Sequence, residues 1–114
     1  MRPTRMTHAV AGILLVIADG HRYGFDVMDA TGLASGTVYP ALRRLERAGL
    51  VTGQWEQVDP SAEGRPRRRH YAITPEGRRL LPQARARMAD LQRLLGSAGP
   101  SLGGASGGGG PGEP

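Results

Sequence analysis

The 114-residue chain contains no cysteine. That excludes disulfides, thiolate metal sites and cysteine nucleophiles, and it suits a reducing compartment such as the cytoplasm. Lysine is absent too, so all fifteen basic residues are arginine. Aromatic residues make up only 4% of the chain, so any core must be small and mostly aliphatic. No apolar run is long enough to cross a membrane. The longest, Ala9–Ala18, follows Arg2 and Arg5 and ends in Val16-Ile17-Ala18, the outline of a short secretory signal on residues 1–18. Losing it would strip much of the core from so small a domain, which favours reading it as a helix. His8, His21 and His70 are scattered, and the ten carboxylates show no pairing. No Ser-His-Asp or phosphate-loop pattern appears, so no enzyme, metal site or cofactor is expected.

What the chain does have is positive charge: a formal net charge of +5 and a sequence pI near 11.0. Arginine forks match phosphates and guanine edges bidentately. Nucleic acid is therefore the leading partner, ahead of an anionic membrane surface. The decisive stretch is Ser35–Gly49. Val38, Ala41, Leu42, Leu45 and Ala48 recur every three or four residues and predict one apolar helix face. Thr37, Tyr39, Pro40, Arg43, Arg44 and Arg47 fall mostly on the remaining arc. Ser35 and Thr37 are candidate caps, and Gly49 is a natural stop. With Thr37 as N-cap, Pro40 would be the third helical residue, where its missing N–H costs nothing.

The flanking elements follow from the same rules. Thr7–Asp19 predicts a first helix, apolar all round and so covered on more than one side. Arg22–Thr31 holds a short second helix beginning near Gly24, with Tyr23, Val27, Met28 and Ala30 on one face. Gly32 and Leu33-Ala34 make the turn into Ser35. Alternation over Leu50–Val58 predicts a strand, Asp59–Pro66 a loop, and Tyr71-Ala72-Ile73 a second strand. Arg67-Arg68-Arg69 gives this hairpin a basic tip. Thr74-Pro75-Glu76 starts a last helix running to about Leu95, with a kink near Arg78–Leu81 caused by Pro82. Leu81, Ala84, Met88, Leu91 and Leu95 form a seam of period 3.5 along it. Residues 96–114 hold half of the chain's eighteen glycines and predict a disordered tail.

The order is helix, helix, helix, strand, strand, long helix. It predicts a mainly α fold with a small β-hairpin: a winged helix-turn-helix over residues 1–73, a C-terminal dimerisation helix over 74–95, and the Gly/Pro-rich tail over 96–114.

Several motifs carry a family resemblance over about Ala11 to Leu81. They are Tyr23-Gly24-Phe25, Gly36-Thr37-Val38-Tyr39-Pro40, Leu42-Arg43-Arg44-Leu45-Glu46, Ala48-Gly49-Leu50-Val51, Arg67–Tyr71 and Ile73-Thr74-Pro75-Glu76-Gly77. Together they resemble the PadR family of bacterial transcriptional regulators, in its short subtype with one C-terminal helix. The resemblance implies a cytoplasmic homodimer bound to double-stranded DNA at a promoter, usually as a repressor, with the last helix in the dimer contact.

The expected DNA-contacting set is Ser35, Thr37, Tyr39, Pro40, Arg43, Arg44 and Arg47 on the helix, and Arg65, Arg67, Arg68 and Arg69 on the wing. The expected dimer set is Leu14, Ile17, Leu81, Ala84, Met88, Leu91 and Leu95. Two recognition helices one helical turn apart would suit a palindromic operator. A small-molecule effector could act by re-angling the dimer interface. Two rival readings remain at this stage. One is a winged-helix protein-interaction module. The other is a secreted cationic protein using residues 1–18 as a signal.

Overall fold

The computed structural model describes residues 4–98. Its elements run α1 (His8–Ala18), α2 (Gly24–Thr31), α3 (Ser35–Arg47), β1 (Val51–Trp55), α4 (Pro60–Glu63), β2 (Arg69–Ile73), α5 (Pro75–Arg79) and α6 (Leu81–Ala98). This is the expected mainly helical fold with one two-stranded antiparallel sheet. The expected tail lies largely outside the described residues. Its first three, Gly96 to Ala98, extend α6 beyond the expected end at Leu95.

The run that outlines a secretory signal is α1, and it sits at the centre of the fold. Thr7 caps it by accepting from the Val10 amide at 3.1 Å. Val10, Ala11, Ile13, Leu14 and Ile17 are buried. They pack with Val27 of α2, with Val38, Ala41, Leu42 and Leu45 of α3, and with Val51 and Tyr71 of the sheet. The second side of this all-round apolar helix is covered by α6, through Leu81 and Ala84. On α2, Val27 is buried, whereas Ala30 is exposed and does not join the expected apolar face.

The turn between α2 and α3 is tied down locally. The Thr31 hydroxyl donates to the Val27 carbonyl at 2.7 Å and accepts from the Leu33 amide at 3.2 Å. Gly32, at φ 73°, supplies the left-handed cap.

α3 corrects one expectation. Its N-cap is Ala34, and neither Ser35 nor Thr37 makes a capping bond. The amides of Thr37 and Val38 both reach the Ala34 carbonyl at 3.0 Å, so the helix is already wound before Thr37. Pro40 therefore lies inside the helix. The Gly36 carbonyl it would have bonded belongs to an exposed residue, where water can take the place of the missing N–H.

The hairpin pairs Val51 with Ile73 through Trp55 with Arg69. Both strands differ in extent from expectation: β1 ends at Trp55 and β2 begins two residues early, at Arg69. Tyr23 adds a bridge to His70, and the Tyr71 amide donates to the Arg22 carbonyl at 2.7 Å. The lead-in to α2 thus lies along the outer edge of β2. The loop contains one helical turn, α4, which Asp59 caps by accepting from the Ser61 amide at 2.9 Å.

The expected kink at Pro82 is a break. α5 ends at Arg79 and α6 starts at Leu81, which puts Pro82 in the first turn of a new helix, where no N–H is needed. Gly77 seats α5 against Leu50, just before β1, and against the end of β2. A Cβ there would overlap the Leu50 carbonyl oxygen and stand 2.7 Å from Ile73 Cγ1.

Candidate nucleic-acid interface

The outward face of α3 follows from its inward one. Val38, Ala41, Leu42 and Leu45 are fully buried. At 100° per residue, Gly36, Pro40, Arg43 and Arg47 form the ridge directly opposite, with Thr37 and Arg44 on one flank and Ser35, Tyr39 and Glu46 on the other. Ser35, Gly36, Thr37, Arg43, Arg44 and Arg47 are exposed. Among the described residues, Arg43, Arg44 and Arg47 enter no ion pair. The N-terminal end of this ridge is low, because Gly36 has no side chain and Ser35 and Thr37 are small. Its C-terminal half carries three guanidiniums.

Tyr39 is held differently from its neighbours. Its ring lies over Gly24, where a Cβ would come within 2.5 Å of Cε1 and 2.6 Å of Cζ. Glycine at the start of α2 therefore makes room for a ring from α3. The Tyr39 side remains 38% exposed, so it both locks the two helices and faces outward.

The wing arginines divide into two pairs. Arg65 is an internal brace: its two terminal nitrogens lie 2.8 and 3.4 Å from the two Glu56 carboxylate oxygens. Glu56 also accepts from the Arg68 amide at 2.9 Å and, at 3.5 Å, from the Tyr23 hydroxyl. The Arg65 hydrogen bond, with that from the Arg68 amide, holds the Glu56 carboxyl down to about 2. Arg69 is the second brace. It pairs with Glu46 of α3 at 2.7 Å and stacks on Trp55, its guanidinium 5.2 Å from the ring centroid. The Glu46 hydrogen bond raises the pKa of Arg69. Gly53 leaves the space for this pair, since a Cβ there would be 2.7 Å from Glu46 Oε2 and 2.8 Å from Arg69 Nε.

Arg67 and Arg68 are exposed and, among the described residues, unpaired. Arg67 donates only to the Val58 carbonyl, at 3.0 Å. Arg68 lies over Phe25 and Tyr23, at 5.2 and 5.8 Å from their centroids. Of the four wing arginines expected to face phosphate, these two have charge to spare. Arg65 and Arg69 spend theirs on the fold.

Sequence reasoning missed Glu46, Glu56, Gly24 and Gly53. Glu46 had a faint signal, because it lies among Arg43, Arg44 and Arg47, whereas Glu56 follows a strand without arginine and had none. An isolated carboxylate on a basic surface is a candidate brace. The glycines had none, since their partners are distant in sequence.

The expected dimer set also divides. Leu14, Ile17, Leu81 and Ala84 are buried within a single chain and present no surface to a partner. Met88 and Leu91 are half-buried and line a groove of about 350 Å³ between α1, α2 and α6, together with Leu15, Val16 and Leu33. Leu94 and Leu95 are 64% and 54% exposed.

A second cleft, of about 340 Å³, lies between the start of α2, Tyr39 and the wing. Tyr23, Phe25, Tyr39, Trp55 and Tyr71, all five aromatic residues of the chain, line it. Burial, with Glu46 adding to it, pushes the Tyr71 phenol up. No His, Asp and Glu side chains gather in threes as metal ligands among the described residues. Among the same residues, no helix is long and apolar enough to cross a membrane.

Residues 13–83 match the Transcriptional regulator PadR-like family. The transcriptional regulator Rv3488 of Mycobacterium tuberculosis is 38% identical over 72 residues, which span 63% of this chain and 57% of that protein. Two crystal structures share the fold at lower identity. The smu.1704 structure from Streptococcus mutans superposes with a TM-score of 0.63 at 20% identity, covering 88% of this chain and 95% of that one. A PadR family transcription regulator from Clostridium difficile gives 0.61 at 21% identity, covering 79% and 96%.

Proposed function

We propose that this chain, which belongs to the PadR-like family of transcriptional regulators, binds operator DNA as a homodimer and represses transcription there. One observation carries the reading. The face of α3 opposite the core is exposed, small at its N-terminal end, and lined by guanidiniums that form no ion pair among the described residues. An N-terminus of low profile lets the helix approach base edges in the major groove, while Arg43, Arg44 and Arg47 reach bases or flanking phosphates. Arg67 and Arg68 hold the backbone beside it, and Arg65 and Arg69 keep the wing rigid while they do so. A protein-interaction module would present an apolar face here, and this one is basic.

The homodimer reading rests on α6. Leu94 and Leu95 extend an apolar strip past the body of the fold, continuous with the groove at Met88 and Leu91. A symmetry-related copy covers such a strip in both chains at once. Two α3 helices then stand on one face of DNA about one helical turn apart, which suits a palindromic operator. A small molecule that re-angles the α6 contact would change the spacing and so the affinity.

Selection of bound fragments from random DNA by the purified protein tests the reading. It should enrich an inverted repeat with half-site centres about 10 base pairs apart. Enrichment of no sequence, or of a site without symmetry, would refute it.

A further inference from the structure

We propose that the stacked rings of Tyr23 and Phe25 are a mount for the Arg68 guanidinium, and that Phe25 is a positioning residue for a phosphate contact made by Arg68 beside the recognition helix. This deepens the function proposed above and rests on it.

The first observation is where Phe25 stands. It is the chain's one phenylalanine, and it is 46% exposed at the start of α2. It belongs neither to the core nor to the apolar side chains packed against the core. Its ring lies on that of Tyr23, with centroids 5.5 Å apart and planes within 4°. The Arg68 guanidinium sits over the pair, 5.2 Å from the Phe25 centroid and 5.8 Å from that of Tyr23. A core short of rings would use this one inside. Here its partner is a cation.

The second observation is that the same unit holds the other end of Arg68. The Arg68 amide donates to Glu56 Oε1 at 2.9 Å, and the Tyr23 hydroxyl reaches Glu56 Oε2 at 3.5 Å. Tyr23 is itself fixed to the wing by its backbone bridge to His70. The lead-in to α2 therefore grips Arg68 twice, at the amide through Glu56 and at the guanidinium through the rings.

Charge is the third. Arg65 and Arg69 are held by carboxylates, which fix a side chain and cancel its charge together. Rings fix the side chain and leave the charge. Arg68 forms no ion pair among the described residues, so it is both oriented and free to meet a phosphate. An arginine already laid on rings gives up less rotamer freedom on binding than one loose in water. Arg68 and Tyr39 of α3 line the same cleft, so a duplex seated on α3 passes one backbone beside Arg68.

The test is a double-mutant cycle on the full chain. Affinity is measured at several salt concentrations for a selected operator and for a random-sequence duplex of equal length. Arg68→Gln should weaken both and lower the slope of log affinity against log salt by about 1 per chain. Phe25→Leu, at an exposed side chain, keeps the charge and loses the ring. It should weaken binding about threefold per chain, or about tenfold for a dimer. Phe25→Tyr keeps the ring and should bind like the parent. In an Arg68→Gln background Phe25→Leu should cost nothing further. In Arg67→Gln, whose side chain is bonded to the Val58 carbonyl instead, it should still cost about tenfold. Matching helical circular dichroism checks that each variant is folded. An equal loss from Phe25→Leu in all backgrounds, no loss in the parent background, or no rescue by tyrosine overturns the mount. Unchanged affinity and slope in Arg68→Gln overturns the phosphate contact. A parent chain that binds neither duplex refutes the proposed function itself, an outcome distinct from a parent that binds and variants whose losses simply add.

Discussion

Gly77→Ala offers the sharpest test of how α5 is held. The added Cβ would overlap the Leu50 carbonyl oxygen and stand 2.7 Å from Ile73 Cγ1 and 3.1 Å from the Leu50 carbonyl carbon. Backbone is on the receiving side, so no side chain can rotate away. α5 has to move off Leu50 and Ile73, and two bonds stretch as it does. They are the Thr74 amide to the Leu50 carbonyl at 3.1 Å and the Thr74 hydroxyl to the Gly49 carbonyl at 2.7 Å. Overpacking of this kind costs about 1–3 kcal/mol. Two weakened hydrogen bonds add about 1–2 kcal/mol. Alanine's better helix propensity returns about 1 kcal/mol. The balance is a loss of about 1–4 kcal/mol, a large share of the stability of a small domain. Urea denaturation followed by helical circular dichroism measures it. The matched control is Gly36→Ala in α3, where a Cβ meets nothing within 4 Å. That change should stabilise by up to about 1 kcal/mol. A Gly77→Ala chain as stable as the parent would refute the close approach of α5 to the Leu50 backbone.

Three further outcomes follow from the braces and the apolar strip. Glu46→Gln removes the charge opposite Arg69 and should cost about 1 kcal/mol of stability while loosening the wing. Its affinity for random DNA should rise with the added net charge, and the ratio of operator to random-DNA affinity in filter binding should fall; an unchanged ratio would show that this pair does not set the wing. The Glu56 carboxyl is depressed on folding from 4.5 to about 2, so its contribution is complete above the higher value and is lost as pH falls through that window. Between pH 5 and 2, stability by denaturant titration should therefore drop more steeply in the parent than in Glu56→Gln, and equal slopes would contradict the brace. Leu95→Asp changes an exposed side chain and should leave the fold intact while light scattering reports monomers; a persistent dimer would place the interface elsewhere.

Much of this was legible in the sequence because it is local. The apolar stripe of α3 has helical period, and Val38, Ala41, Leu42 and Leu45 are the residues that became buried. Thr74-Pro75 began a helix where capping chemistry says it should. What the sequence hid depends on pairs far apart along it. Which arginines are free could not be read, because Arg69 is neutralised by Glu46, twenty-three residues away, and Arg65 by a carboxylate across the hairpin. Of the α1 residues that expectation gave to a second subunit, Leu14 and Ile17 are buried in the core of the same chain, and the opposite side of the helix faces α6. Pro40 misled for a related reason. Its expected place near the helix start assumed a capping side chain, but the Ala34 carbonyl alone begins the helix.

In the proposed function, α3 meets DNA with the ridge opposite its buried face. Arg43 stands on that ridge, exposed and without an internal partner among the described residues, so its removal leaves the fold untouched. The measurement is the affinity of Arg43→Ala for an operator selected by the parent protein, against the same site with single base changes. A groove-facing Arg43 predicts a loss of about 1–3 kcal/mol on the operator and weaker discrimination at one position of each half-site. Unaltered affinity and unaltered base preference would contradict it.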